Sequence, residues 1–293
     1  MQPPSQDTAA STLSWRKRDI EQRLAFRGGR FTAVNTTLTG LLGLLLTAAF
    51  YGVVAATEGT AFSTMFSGGG DPAKFAVPLA IVFFTSWAIA ILLVKWRKLA
   101  LQKRALRVRI LPPASDFVLS PATVDEVLAG LYRAVDDPRH FVVLNRVQVA
   151  LSNLKNLGRV PDVDDILRSQ AEHDESAMET SYSLLRGFVW AIPVLGFIGT
   201  VLGLSAAIGG FGEVLSQDGA EMSEIAGSLR TVTSGLSTAF ETTLQGLLAA
   251  LAVQLVIAFL RKSEEEFLDD AREYCHRNIV SRLRMTPFDQ VGA

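Results

Sequence analysis

Four stretches of the chain are apolar for long enough to cross a lipid bilayer, and the polar segments between them follow the spacing of amphipathic helices. Phe31 to Ala56 and Phe75 to Val94 form a first pair of apolar runs; Gly187 to Phe211 and a run from about Arg230 to Leu260 form a second. A hydrocarbon core about 30 Å thick needs about 20 apolar residues in helical conformation, so each run predicts a spanning helix, the longer ones with some tilt. The first run starts too late and runs too long for the short apolar region of a secretory signal, about 7–15 residues near the start, and is expected to be retained.

From Lys95 to Leu185 the apolar runs are too short to span. A basic helix is expected to continue from the second span to about Ile110, where Leu111-Pro112-Pro113 stops it. Ser120-Pro121 predicts the cap of a helix with Val124, Val127, Leu128 and Leu131 on one face. Asp137-Pro138 opens another, with Phe141, Leu144, Val147 and Leu151 as its stripe. A third is expected from Asp162 through Ile166, Met178 and Tyr182 directly into the third span. The pattern predicts a small cytoplasmic helical bundle; the alternative reading is that its exposed charged face docks a cytoplasmic partner. After Leu260 an amphipathic helix, SEEEFLDDAREYCHRNIVSRL, ends near Pro287.

Charge sorts these elements by side of the membrane. Arg16, Lys17, Arg18, Arg23, Arg27 and Arg30 precede the first span, and KWRKLALQKRALRVR, with seven basic residues before any acid, follows the second. Thr57 to Lys74, rich in Gly and Ser, carries Glu58 and Asp71; Glu213 to Arg230 carries Glu213, Asp218, Glu221 and Glu224. Basic residues stay inside, so both loops are expected outside and both termini in the cytoplasm. The expected layout is a cytoplasmic segment 1–30, a first helix pair within 31–94, a cytoplasmic helical region 95–185, a second pair within 186–261 and a cytoplasmic tail 262–293. That is an all-α integral membrane protein: four transmembrane helices with a cytoplasmic helical bundle between spans two and three.

Composition agrees with a membrane protein. Of 293 residues, 49% are hydrophobic, and the mean hydropathy of +0.28 is high for a soluble domain of this length. A formal net charge of -1 gives no basic surplus to attract nucleic acid. Cys275 stands alone, so neither an internal disulfide nor a multi-cysteine metal site is possible, and His140, His173 and His276 lack ligand spacing. No nucleophile–base pair, phosphate loop or metal cluster is legible, so neither an enzyme nor a cofactor is expected.

The chemistry that stands out lies in the last two spans. Pro193, Gly196, Gly199 and Gly203 flank Thr200, a flat surface on which another helix can pack closely. In the fourth span, Thr231, Ser234, Thr238, Glu241, Thr242 and Gln245 fall within one stripe, with Ala249 continuing it; Thr243 points elsewhere, onto a small-residue flank with Ala239, Gly246 and Ala250. Glu241 is the exceptional residue: a charge at mid-span costs roughly 2.5–3.5 kcal/mol even on insertion scales, so it lines an ion or water path or, held neutral, bonds across helices. The glycines alone fit plain helix packing, and threonines in a span often bond their own backbone.

At these residues the chain resembles a known family. Ile192-Pro193-Val194-Leu195-Gly196-Phe197-Ile198-Gly199-Thr200-Val201-Leu202-Gly203-Leu204 is similar to the P-x-x-G-x-x-G-T-V-x-G signature of the MotA/TolQ/ExbB proton-channel family, and Gly235 to Leu247 resembles that family's last span. The resemblance covers roughly Asp162 to Lys262, and the four-span layout is closer to the MotA branch than to the three-span TolQ/ExbB branch. It implies a ring of five copies in the bacterial inner membrane around the single-span helices of a MotB/TolR/ExbD-like dimer, whose aspartate is protonated and released. It further implies that Thr200 and Thr243 line the ion pathway, the transported ion being H+ or Na+. Where ExbB and TolQ carry a glutamate this chain has Thr238, and its own carboxylate, Glu241, comes one turn later on the same face. The expected function is an ion-conducting subunit of a motor that turns ion-motive force into mechanical work; the alternative is a non-conducting scaffold that anchors a cytoplasmic helical module.

Overall fold

The computed structural model describes residues 13–24, 26, 28–29, 31–67, 72–108, 110–111, 118–157, 160–215 and 222–283. Among them the secondary structure is helical, with no strand beyond two isolated bridges, Leu13 to Val135 and Leu119 to Leu283. Ten α-helices follow in order: α1 Trp15–Arg18, α2 Ile20–Arg23, α3 Thr36–Ala56, α4 Ala61–Ser67, α5 Pro72–Ala105, α6 Val124–Ala134, α7 Val142–Leu157, α8 Val160–Thr180, α9 Ser183–Leu215 and α10 Met222–Asn278. Four helical stretches, Thr36–Ala56, Phe75–Ala105, Asp162–Gly209 and Ala226–Arg282, are long and apolar enough to cross a membrane. They divide between two compact units: a first made of Met1–Asn35, Val94–Ser181 and Leu260–Ala293 in their described parts, and a second made of Thr36–Leu93 and Tyr182–Phe259.

The first unit is organised on α7, which packs against α6, α8 and the 3-10 turn Pro138–His140. The expected stripe of Phe141, Leu144, Val147 and Leu151 is buried, but so are Val142, Val143, Asn145, Arg146, Ala150 and Leu154, so α7 is enclosed on nearly every side. Arg146 can lie there because its Nε donates to Asp174 Oδ2 at 2.7 Å, which keeps the buried charge paired. α6 buries Val124, Val127 and Leu131, as its spacing requires. Its start differs from the Ser120-Pro121 cap: the helix begins at Val124, and Thr123 Oγ1 accepts from Ser120 N at 3.0 Å in the turn before it.

The N-terminal segment is part of this unit, where the sequence suggested only a polar lead-in. Trp15 is 1% exposed, stacked on His140 and edge-on to Phe141. Asp136 holds it there, accepting from Trp15 N at 3.0 Å, Arg16 N at 3.1 Å and Ser14 Oγ at 2.8 Å. The chain then turns sharply at Phe31, whose φ of 56° is in the left-handed region, and α3 starts at Thr36, later than the apolar run that begins at Phe31.

In the second unit α3 and α5 meet at Trp87. A side chain on Gly43 would lie 2.8 Å from the Trp87 Cα, so glycine is what lets the two backbones approach. Trp87 Nε1 donates to Thr39 Oγ1 at 3.3 Å, and its ring packs on Phe188 of α9. The first loop contains α4, unforeseen from its Gly and Ser content, docked on α3 through Phe50 to Phe62 and Phe66.

Further boundaries differ from expectation. The third cytoplasmic helix does not run straight into the span: α8 ends at Thr180 and a turn at Ser181–Tyr182 separates it from α9. α9 reaches Leu215 and α10 starts at Met222, so within the expected loop Glu213 to Arg230 both Glu213 and Glu224 are helical, while 216–221 lie outside the described residues. α10 is one helix of 57 residues that contains the fourth span and most of the predicted tail. α5 ends at Ala105, short of Ile110; the Pro112-Pro113 stop and the end near Pro287 lie outside the described residues.

Candidate functional site

In the second unit α9 and α10 cross at van der Waals contact because glycine faces glycine. A Cβ on Gly196 would lie 2.8 Å from Thr242 O, one on Gly203 2.6 Å from Gly235 O, and one on Gly246 2.9 Å from Ile192 O. Gly199 would meet Thr242 more closely still, at Oγ1 and, 2.7 Å away, Cβ. Small residues on both sides thus replace side-chain packing with backbone contact, the arrangement that favours helix association where lipid supplies no hydrophobic drive. Pro193 sits inside α9 one turn before this contact.

Within the crossing the structure brings Thr200 and Thr243 together. Their hydroxyls are in direct contact. Thr200 Oγ1 donates to Ala239 O at 3.0 Å with Gly196 O at 3.3 Å; Thr243 Oγ1 reaches the same two carbonyls at 3.1 and 3.3 Å. Two hydroxyl protons are therefore shared among four oxygens, contributed equally by the two helices. Both threonines are half-buried, so the group is open on one side. A cluster of neutral oxygens with rotatable hydroxyls can partly replace the water around a small cation or hand a proton along. It does not hold a transition metal, which would need imidazole, thiolate or carboxylate ligands, and no group of three or more such residues occurs among the described residues.

The polar stripe of the fourth span divides on folding. Thr242 is 2% exposed and turned into α9 beside Gly199, bonding to Thr238 O at 3.0 Å and Ala239 O at 3.2 Å. Gln245 is 4% exposed and its Nε2 donates to Met65 O of α4 at 2.8 Å. Glu241 and Thr238 remain at the surface of the chain, half-buried; Glu241 Oε1 accepts from Ser237 Oγ at 2.7 Å within its own helix, and Thr238 Oγ1 bonds Ser234 O at 2.9 Å. Glu241 is about 200° around the helix from Thr243. Among the described residues of the single chain it neither bonds across helices nor joins the threonine pair. Periodicity puts Thr242 and Gln245 on one stripe with Glu241 but does not say where the neighbouring helix lies, and α4, which receives Gln245, carries no hydropathy signal of its own.

Fold and site together define a multi-pass helical membrane protein built on a tight glycine-lined helix pair with paired threonines. Residues 140–273, from the 3-10 turn before α7 to near the end of α10, match the model of the MotA/TolQ/ExbB proton channel family. No curated protein and no solved structure matched the chain. The family is one of channels and not of enzymes, and it works in oligomeric complexes with partner proteins. The match leaves out α3, α5 and α6 entirely, and in the first two spans no motif is legible.

Proposed function

We propose that the chain is the ion-conducting subunit, carrying protons, of an inner-membrane motor complex. In this reading five copies surround a dimer of single-span MotB/TolR/ExbD-like helices, with both termini and the first unit in the cytoplasm. The observation that carries it is the Thr200–Thr243 contact: two motifs 43 residues apart in sequence place their hydroxyls against each other within a segment that matches a proton-channel family. Ions moving down their gradient, worth about 2.3 kcal/mol per charge per 100 mV, neutralise and release the partner's carboxylate beside this pair. Each change alters which copies grip the partner, and the work leaves through relative rotation.

The neutral character of the pair supports protons or another small monovalent cation as cargo, since a hydroxyl donates and accepts without holding a fixed charge. Glu241, on another face of α10, belongs to the contact with a neighbouring copy in such a ring. Capture of the full chain from its native membrane should recover a short protein with one apolar span containing a carboxylate, followed by an outer domain. T200V and T243V should leave that recovery unchanged while cutting mechanical output at least tenfold; unimpaired output in both variants overturns the assignment.

A further inference from the structure

The chain passes between its two units four times, after Asn35, Leu93, Ser181 and Phe259. In the first unit, residues next to all four crossings are tied together by buried charged groups. Lys95 Nζ donates to Ser181 Oγ at 2.8 Å, pairs with Glu264 Oε1 at 3.2 Å and lies 3.5 Å from Thr32 Oγ1. One turn later Lys98 Nζ meets Glu21 Oε2 at 2.5 Å and Ala33 O at 2.6 Å, while Glu21 Oε1 accepts from Asn35 N at 2.7 Å, next to the first residue of α3. Lys103 Nζ adds a bond to Ser263 Oγ at 2.8 Å. The side chains of Lys95 and Glu264 are 0% and 1% exposed, those of Lys98 and Glu21 2% and 0%.

Apolar residues of similar volume would hold a bundle together as well as buried ions do; what ions add is a fixed set of partners. Around the Lys95 ammonium lie oxygens from the α8–α9 turn, from α10 and from the lead into α3, the one from α10 as an ion pair. The turn itself is locked, because Ser181 Oγ accepts from Lys95 and donates to Met178 O at 2.6 Å. α9 starts two residues after Ser181, and Glu264 lies on the same unbroken helix as Thr243. We infer that Lys95 is a positioning residue: through Ser181 and Glu264 it fixes the register of α9 against α10, on which the contact between Thr200 and Thr243 depends. Its link to ion movement rests on the function proposed above; its effect on register does not.

The test is a disulfide. In a C275S background, T200C and T243C place two thiols where the hydroxyls touch, and mild oxidation should join them within one chain. Adding K95M should lower the cross-linked fraction at least fivefold. Because K95M leaves Glu264 buried without its lysine, K95M/E264M is made in parallel; it nearly keeps the volume, removes both charges of the pair and should show the same loss with helical content unchanged. Cross-linking of the folded K95M/E264M protein equal to that of the parent overturns the inference, whatever its thermal stability. Flux separates the two claims: T200V conducting normally defeats the proposed function alone, whereas T200V blocked with the cross-link intact in K95M/E264M defeats the register alone.

Discussion

A hydroxyl has one proton and two lone pairs, and that modest inventory is what the Thr200–Thr243 pair offers an ion. Each hydroxyl has carbonyl oxygens of both helices within reach, so valine in place of either threonine removes the donor while nearly preserving shape. At the same scale Cys275 provides an independent check on the first unit. It is 3% exposed within the core, and burial pushes its thiol up to about 11, with Asp174 adding to the effect and Arg146 opposing it. The thiolate is the reactive form, so alkylation at pH 8 should be roughly two orders of magnitude slower than for an exposed thiol and become ordinary on unfolding. Fast labelling of the folded protein would contradict the burial. Thr200, Thr243, Gly196 and Gly199 were all legible as residue types at fixed spacing. That Glu241 bonds within its own helix was not, because periodicity places a residue on a face without saying what that face meets.

At the scale of elements, the crossing of α9 and α10 depends on what is absent from its glycines. Gly199→Ala puts a methyl group onto the Thr242 side chain, and overpacking of this kind costs about 1–3 kcal/mol. Gly187, on the same helix, has open space around it. Thermal unfolding in detergent should therefore show G199A well below the parent and G187A at or slightly above it, since alanine is the better helix former; G199A equal to the parent would mean that the two helices do not cross here. Sequence patterns found all four spans yet misjudged where helices end. Glu213 and Glu224 mark a polar segment, but glutamate is a good helix former, and α9 and α10 continue through them. The turn at Ser181–Tyr182 has neither Gly nor Pro to announce it; it is set by the bonds from Lys95 and to Met178, which no local pattern encodes.

On the scale of the whole molecule, the first unit is assembled from three separate stretches of chain, and the N-terminal segment closes it through Asp136. Partial burial pushes the Asp136 carboxyl up, but bonds from Trp15, Ser14, Arg16 and Asp137 outweigh it and hold it below the usual carboxylate range. A group depressed on folding stabilises the fold above its unfolded value, near 3.8, and loses that contribution as pH falls through its lower folded value. The amides of Trp15 and Arg16 should thus be protected from hydrogen exchange, relative to intrinsic rates, at pH 5 and lose protection below pH 3.8, whereas D136A should lose it at pH 7 as well. Protection in D136A equal to that of the parent would show that the segment is held by Trp15 packing alone. Charge and hydropathy separate the apolar spans from the polar helical segments, but they do not enrol the N-terminal segment in a unit, since Leu13 and Trp15 are isolated apolar residues in a polar stretch.

Ion movement itself is the most direct test of the central claim. The assembled complex, purified from its native membrane and reconstituted into vesicles, should take up protons under an imposed voltage of about 100 mV, and the same complex carrying T200V or T243V should fall to the level of empty vesicles. Uptake no greater than that of empty vesicles for the parent complex, or uptake unchanged in both variants, would contradict conduction through the threonine pair.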